Sequence, residues 1–239
     1  MNLDSSLSPS ALVCDVDGTI TDQRRRLSTS AVIAIRRLVD AGVLVVVASG
    51  NTICSLNMLC KMIGTDGSII AENGGVYRVK FQGEEHVCGK RTVCWSAFNA
   101  IKDHFLKKGI EIELYSPHDR LADVAFARSV DVDEVREVVK AHPVQVLDTG
   151  FAIHIQSQGV TKGTALDRIA SDMGLSASDF LAIGDSKNDI EMIRNAGVGV
   201  AVANAHPELM NEADLVTEKK YGDGFVEALN TYFPYFFER

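Results

Sequence analysis

Two carboxylates separated by one residue, Asp15 and Asp17, close a short apolar run near the start of the chain, and Gly18 and Thr19 follow at once. Residues two apart on an extended segment project to the same side. A glycine behind them lets the backbone turn tightly away, so both acids can converge on one small volume. Clustered carboxylates repel one another and are costly to desolvate unless a cation joins them. A magnesium ion is a suitable partner, with one acid acting as nucleophile and the other handling protons. The competing reading is a hairpin, because Asp-Gly is a strong turn signal. A hairpin calls for an alternating strand after Thr21, yet Asp22 and Gln23 lead into Arg24, Arg25 and Arg26 before a helix start.

Three further apolar runs end in polar clusters: Ser49/Asn51, Glu72/Asn73 and Asp185/Asp189. In open α/β sheets ligands bind outside the carboxyl ends of the strands, so parallel strands would bring the four clusters together. Lys162 stands at the start of a predicted helix, against the helix dipole. An anion bound at that helix N-terminus would account for it. Asp185 and Asp189 taken singly read as a turn residue and a helix-start acid. Their joint occurrence in Gly184-Asp-Ser-Lys-Asn-Asp189, with Asp15 and Asp17 on another strand, suits phosphoryl transfer. A carboxylate attacks phosphorus, Mg²⁺ and a lysine neutralise the oxygens, and a serine hydroxyl with backbone amides cradles the group.

The elements that must position these residues follow from periodicity. Val32, Ile35, Leu38 and Val39 form a helical stripe behind Ser28 as N-cap, and residues 43–48 are a continuous apolar strand. A helix carrying Leu56, Leu59 and Ile63 and a strand over 68–71 complete the first part of a doubly wound α/β rhythm. Residues 76–81 alternate and break at Gln82 and Gly83, which predicts a hairpin. From 87 to 157 the pattern reads helix, two strands, helix, two strands, with helices at 96–108 and 132–141 and strands at 111–115, 123–128, 144–147 and 151–155. That is a small antiparallel sheet with helices on one face. The original rhythm returns at Thr161, with strands at 179–183, 198–202 and 214–216 and a last helix over 224–232. The expected fold is α/β: a doubly wound parallel-sheet (Rossmann-like) core, 1–82 and 158–239, with an inserted small α+β cap domain, 83–157.

The chain of 239 residues is long enough to bury a sizeable core, and 46% apolar with 23% charged residues is ordinary for a soluble globular protein. A net charge of -8 without a basic stripe speaks against nucleic acid. No apolar run reaches the length of a membrane span. Five cysteines (14, 54, 60, 88 and 94) form no metal-like pair of pairs, and the N-terminus lacks a basic region followed by an apolar core. These features predict a reduced, cytoplasmic protein; they leave the oligomeric state open.

The motifs Asp15-Val-Asp-Gly-Thr19, Ser49, Lys162 and Gly184–Asp189 resemble, in order, the four motifs of the haloacid-dehalogenase superfamily of phosphatases. The insert resembles the α/β cap of the subgroup that contains sugar phosphatases. Ser49-Gly-Asn51, Ala71–Gly75, Val202–Ala205 and the short cap resemble its archaeal phosphoglycolate phosphatase branch. The resemblance implies a Mg²⁺-dependent hydrolysis of a small phosphate monoester, 2-phosphoglycolate first, through an aspartyl-phosphate on Asp15. Asp17 would be the acid and base, with its carbonyl on the metal. Ser49, Gly50, Asn51 and Lys162 would bind the substrate, and Asp15, Asp17, Asp185 and Asp189 the metal, supported by Asn188. Ser49-Gly-Asn51 departs from the Thr-Gly-Arg common in sugar phosphatases. A sugar-phosphate phosphatase or phosphomutase is the alternative within enzymes. A module that accepts a phosphoryl group for signalling is the alternative outside them, although it needs neither Asp17 nor a cap.

The remaining conspicuous residues carry two readings each. Cys14 points away from Asp15 and reads as a small core hydrophobe. His154 lies on the opposite strand face from Ile153 and Ile155, as a satisfied histidine or a substrate contact. Tyr115, His118 and Arg120 sit in a turn, as substrate readers or plain surface. Arg24–Arg26 read as a solvated loop or, beside the two acids, as a minor attractor of anions, and the aromatic tail from Tyr232 to Phe237 as packing against the body or an interface.

Overall fold

The protein is described over residues 9–236 by a computed structural model. Residues 1–8, which bear on the N-terminal reading, and Phe237 of the aromatic tail lie outside the described residues. The first part of the chain runs β1 (Ala11–Asp15), α1 (Thr29–Asp40), β2 (Leu44–Ala48), α2 (Ile53–Ile63), β3 (Ile69–Ala71), β4 (Val76–Arg78) and β5 (His86–Val87). The middle adds α3 (Arg91–Leu106), β6 (Leu114–Tyr115), β7 (Val124–Ala127), α4 (Val132–Val139), β8 (Val144–Asp148) and β9 (Ala152–Ser157). The last part comprises α5 (Lys162–Asp172), β10 (Phe180–Gly184), α6 (Ile190–Asn195), β11 (Val198–Ala201), α7 (Pro207–Met210), β12 (Leu215–Val216) and α8 (Tyr221–Tyr232).

The large sheet has the order β12-β11-β10-β1-β2-β3-β4-β5. Its strands from β12 to β3 are parallel and β4 and β5 antiparallel. Alternate residues of one strand feed opposite layers: Leu12 and Cys14 pack with α1, α2 and α8 residues such as Leu38, Leu56 and Phe225, while Ala11 and Val13 pack with Leu166 and Ile169 of α5 and Met192 of α6. Burial on both faces explains why β1 and β2 read as unbroken apolar runs rather than alternating ones. Cys14 is such a core residue, fully buried.

The small sheet, β6-β7-β9-β8, is antiparallel throughout. Val124, Phe126, Ile153 and Ile155 cover one face of it with Phe98, Ile101 and Phe105 of α3 and Val135 and Val139 of α4. The helix expected to begin at Ser96 begins five residues earlier, because buried Cys94 continues the stripe of Ala97, Phe98, Ile101 and Phe105. The expected alternation over 76–81 is cut to three residues, all buried. Arg78 tolerates burial there because Asn57, the Gly67 carbonyl and Glu85 take its guanidinium. No described helix is long and apolar enough to cross a membrane.

Candidate active site

β1, β2, β3 and β10 are parallel and end at one edge, with Asp15 level with Ala48 and Cys14 level with Ile183. The chain leaves β1 through Gly18 at φ +92°, and a Cβ there would stand 2.1 Å from Oδ2 of Asp185. Only glycine lets the Asp15–Asp17 loop lie against the Asp185 loop. Beyond it, Thr21 bridges Leu27, and Asp22 accepts bonds from the Arg24 and Arg26 amides. The segment is a closed loop rather than the strand of a hairpin. Asn204 donates to the Gly18 carbonyl at 2.9 Å and holds the turn from the far side.

Lys162 opens α5 with its side chain wholly buried, and its ammonium reaches Oδ1 of Asp15 at 2.5 Å and Oδ1 of Asp189 at 2.6 Å. The other oxygen of Asp189 accepts from the backbone amides of Asp185 and Ser186 at 3.1 and 3.0 Å. Asp189 therefore spends both oxygens on holding Lys162 and the 185–186 loop. Asp185 differs: its Oδ1 is buried and has no hydrogen-bond partner among the described residues. Asp15, Asp185 and Asp189 can place one carboxylate oxygen each within 4.8 Å of one another.

One ammonium cannot balance three carboxylates, and the acids respond. Burial, together with the Asp189 charge and against the pull of Lys162, lifts Asp15 to about 7. Burial and the charges of Asp15 and Asp189 lift Asp185 to about 9. Lys162 is shifted upward, because the two aspartates outweigh the burial that opposes its charge. The site carries a deficit of positive charge, a buried orphan oxygen and only oxygen donors, which is the setting for a hard divalent cation. Asp17 lies at the rim, its Oδ2 accepting from Asn51 at 3.1 Å. Asn51 also donates to the Ser49 hydroxyl, through its side chain at 3.0 Å and its backbone at 3.1 Å. Asn188 donates to Oδ1 of Asn73 at 2.8 Å and so links the Asp185 loop to the end of β3.

The small sheet faces this edge across a cleft of about 760 Å³, lined by Asp15, Asp17, Ser49 and Asp185 on one side and by Tyr115, Arg120 and His154 on the other. Asp123 is fully buried beneath, with Oδ1 on Arg120 at 2.7 Å and Oδ2 on His154 Nδ1 at 2.8 Å. Arg120 also donates to the Gly50 carbonyl at 3.2 Å. Fully buried Glu72 accepts from the backbone amides of Leu121, Ala122 and Asp123. Burial and the Asp123 charge lift it to about 7 in spite of those bonds. The Arg25 guanidinium lies 3.3 Å from the centre of the Phe151 ring, so one residue of the arginine run packs against the insert.

The expected residues Asp15, Asp17, Ser49, Gly50, Asn51, Lys162, Asp185, Asn188 and Asp189 thus come together at one edge. Of the three turn residues, Arg120 is buried and Tyr115 lines the cleft, whereas His118 is exposed away from it. Sequence reasoning assigned no part to Asp123, Glu72 or Asn204. Glu72 sat in a strand-end cluster and so carried a signal; Asp123 carried none.

A family model of haloacid dehalogenase-like hydrolases matches residues 12–142 and 124–229. A protein of Methanoculleus marisnigri named phosphoglycolate phosphatase is 59% identical over 95% of this chain and 98% of its own. Another of that name, from Methanospirillum hungatei, is 48% identical over 95% and 98%. A crystal structure from Thermoplasma acidophilum shares the fold, with a TM-score of 0.82 at 24% identity over 94% of this chain and 98% of that one. With the motifs gathered at one sheet edge and a family model matching most of its length, the chain belongs to the haloacid dehalogenase-like hydrolases.

Proposed function

We propose that the protein is a Mg²⁺-dependent phosphatase of small phosphate monoesters, with 2-phosphoglycolate, split into glycolate and phosphate, as its substrate. The observation that carries this reading is the buried Lys162–Asp15 contact inside an all-oxygen cluster that one lysine leaves undercharged. The relatives named phosphoglycolate phosphatase support the substrate. Within the insert 83–157, the part from α3 to β9 acts as a cap over the cleft, while β5 completes the edge of the large sheet and residues 1–82 and 158–239 form the rest of the catalytic core. The five free cysteines fit a reduced, cytoplasmic setting.

Asp15 attacks phosphorus with the oxygen that Lys162 leaves free. The P–O bond to glycolate breaks as Asp17 gives its proton to the leaving oxygen. Water then attacks the aspartyl-phosphate, Asp17 takes the proton of that water, and Asp15 and inorganic phosphate are released. Asn51 orients Asp17 for both transfers, and Ser49, the backbone around Gly50 and Lys162 hold the phosphoryl oxygens. Asp15, the Asp17 carbonyl and Asp185 would hold Mg²⁺, which when bound supplies positive charge to the phosphoryl oxygens. Asp189 stands in the same cluster and would support the metal, directly or through water, while its oxygens also hold Lys162 and the 185–186 loop.

Phosphate release measured with Mg²⁺ over a panel of small esters tests the reading. The highest kcat/KM is expected for 2-phosphoglycolate. A sugar phosphate turned over better would replace the substrate, and no release from any ester would overturn the enzyme.

A further inference from the structure

The cleft is polarised, with Asp15, Asp17 and Asp185 at its core end and Arg120 and His154 at its cap end. The first end accounts for the phosphoryl group. The second is built with equal care and has no part in the chemistry described so far.

His154 stands on β9 between Ile153 and Ile155, which pack against the cap helices, so its ring takes the opposite face and borders the cleft. It is only 3% exposed, yet its Nε2 has no hydrogen-bond partner among the described residues. Asp123 fixes the other nitrogen at 2.8 Å, which directs the Nδ1 proton to the carboxylate and leaves Nε2 to the cleft. Asp123 divides its two oxygens between His154 and Arg120. Arg120 bonds the Tyr115 and Gly50 carbonyls, tying this group to the loop that carries Ser49. The same-face neighbours of His154 are Ala125 of β7 and Leu147 of β8, each directly opposite in register, and Ala152 and Gln156, two residues along β9, the last donating to the Glu72 and Asn73 carbonyls.

Charge completes the picture. With a neutral imidazole, Arg120 and Asp123 cancel. A ligand carboxylate at Nε2 accepts a charge-assisted hydrogen bond from an imidazolium whose other N–H is held by Asp123. An uncharged ligand end offers no such charge.

We propose that His154, positioned by Asp123 and backed by Arg120, recognises the carboxylate of a short phosphorylated acid and thereby sets the substrate preference. This rests on the phosphatase reading and names the residue that gives it selectivity. The site discriminates a carboxylate from a neutral hydroxymethyl end of similar size, because buried polar groups left unpaired weaken the wrong complex.

The test compares 2-phosphoglycolate with 2-hydroxyethyl phosphate, in wild type and in His154→Asn. Asparagine keeps a donor for Asp123 but removes the nitrogen that faces the cleft. The wild-type preference for 2-phosphoglycolate, as a ratio of kcat/KM, is expected to fall by about 10- to 100-fold in His154→Asn, mainly through KM. His154→Gln, which restores a neutral donor near the Nε2 position, should lose less, and His154→Leu, with the same loss expected, takes the place of His154→Asn if that variant does not fold by circular dichroism. A folded His154→Asn or His154→Leu protein that keeps the ratio within about threefold overturns the role of His154 while leaving the phosphatase reading intact. A wild-type enzyme that hydrolyses both esters without preference removes the acid substrate and the inference with it.

Discussion

The Lys162 ammonium lies 2.5 Å from Oδ1 of Asp15 although 147 residues separate the two in the chain. Neither group is stable in that place alone. Removing one partner of a buried pair leaves an uncompensated charge, at a cost of about 3–5 kcal/mol. Lys162→Met should therefore lose stability of that order in denaturant titrations and lose nearly all turnover. A loss below about 1 kcal/mol with turnover preserved would show that the pair is dispensable.

Asp185 and the metal are linked in the opposite sense. A carboxylate raised to about 9 by burial and like charge burdens the metal-free fold at neutral pH. Asp185→Asn should raise the midpoint of thermal unfolding in chelator, by at least about 1 kcal/mol in free energy, and abolish Mg²⁺-dependent phosphate release. In wild type, chelation should stop turnover and Mg²⁺ restore it. Ca²⁺ should inhibit, because its looser coordination can engage both oxygens of Asp15. Full turnover after exhaustive chelation would contradict the cluster.

Gly18→Ala tests the contact between the two acidic loops. A left-handed φ costs alanine about 1–2 kcal/mol. The new methyl would also stand 2.1 Å from Asp185, which must swing away. We expect a folded protein with kcat lowered at least about tenfold, since a displacement of about 1 Å at a reacting centre is enough for larger losses. Unchanged kcat would mean that the Asp185 position is not critical.

Glu72 makes the link between core and cap sensitive to pH. Its carboxyl is raised from 4.5 to about 7, so the folded state binds the extra proton. Its contribution is fully present below the unfolded value and is lost as pH rises through the folded one. The stability difference between wild type and Glu72→Gln should therefore shift against wild type from pH 4.5 to 7.5, by up to about 3 kcal/mol. Unfolding titrations at the two pH values in chelator measure it, and a constant difference would refute the shift.

Much of this protein was legible in its residues because the core obeys short-range rules. Unbroken apolar runs alternating with helical stripes dictate a parallel sheet covered on both faces, and parallel strands must deliver their ends to one edge. Asp15, Asp17, Ser49, Lys162 and Asp185 were therefore recognisable as one site before any distance was known. What only the tertiary structure decided lies in contacts between segments far apart. Asp189 reads from its motif as a residue of the metal cluster, and only the tertiary structure shows that Lys162 and two backbone amides also bond its oxygens. Asp123 reads as any acid at the start of a strand, and only the pairing of β7 with β9 sets it under His154 and beside Arg120. Glu72 becomes a buried carboxylate near neutrality because the insert folds its 121–123 backbone over it. Local spacing reports which side of an element a residue faces, whereas burial, partner and charge state depend on what the rest of the chain places opposite.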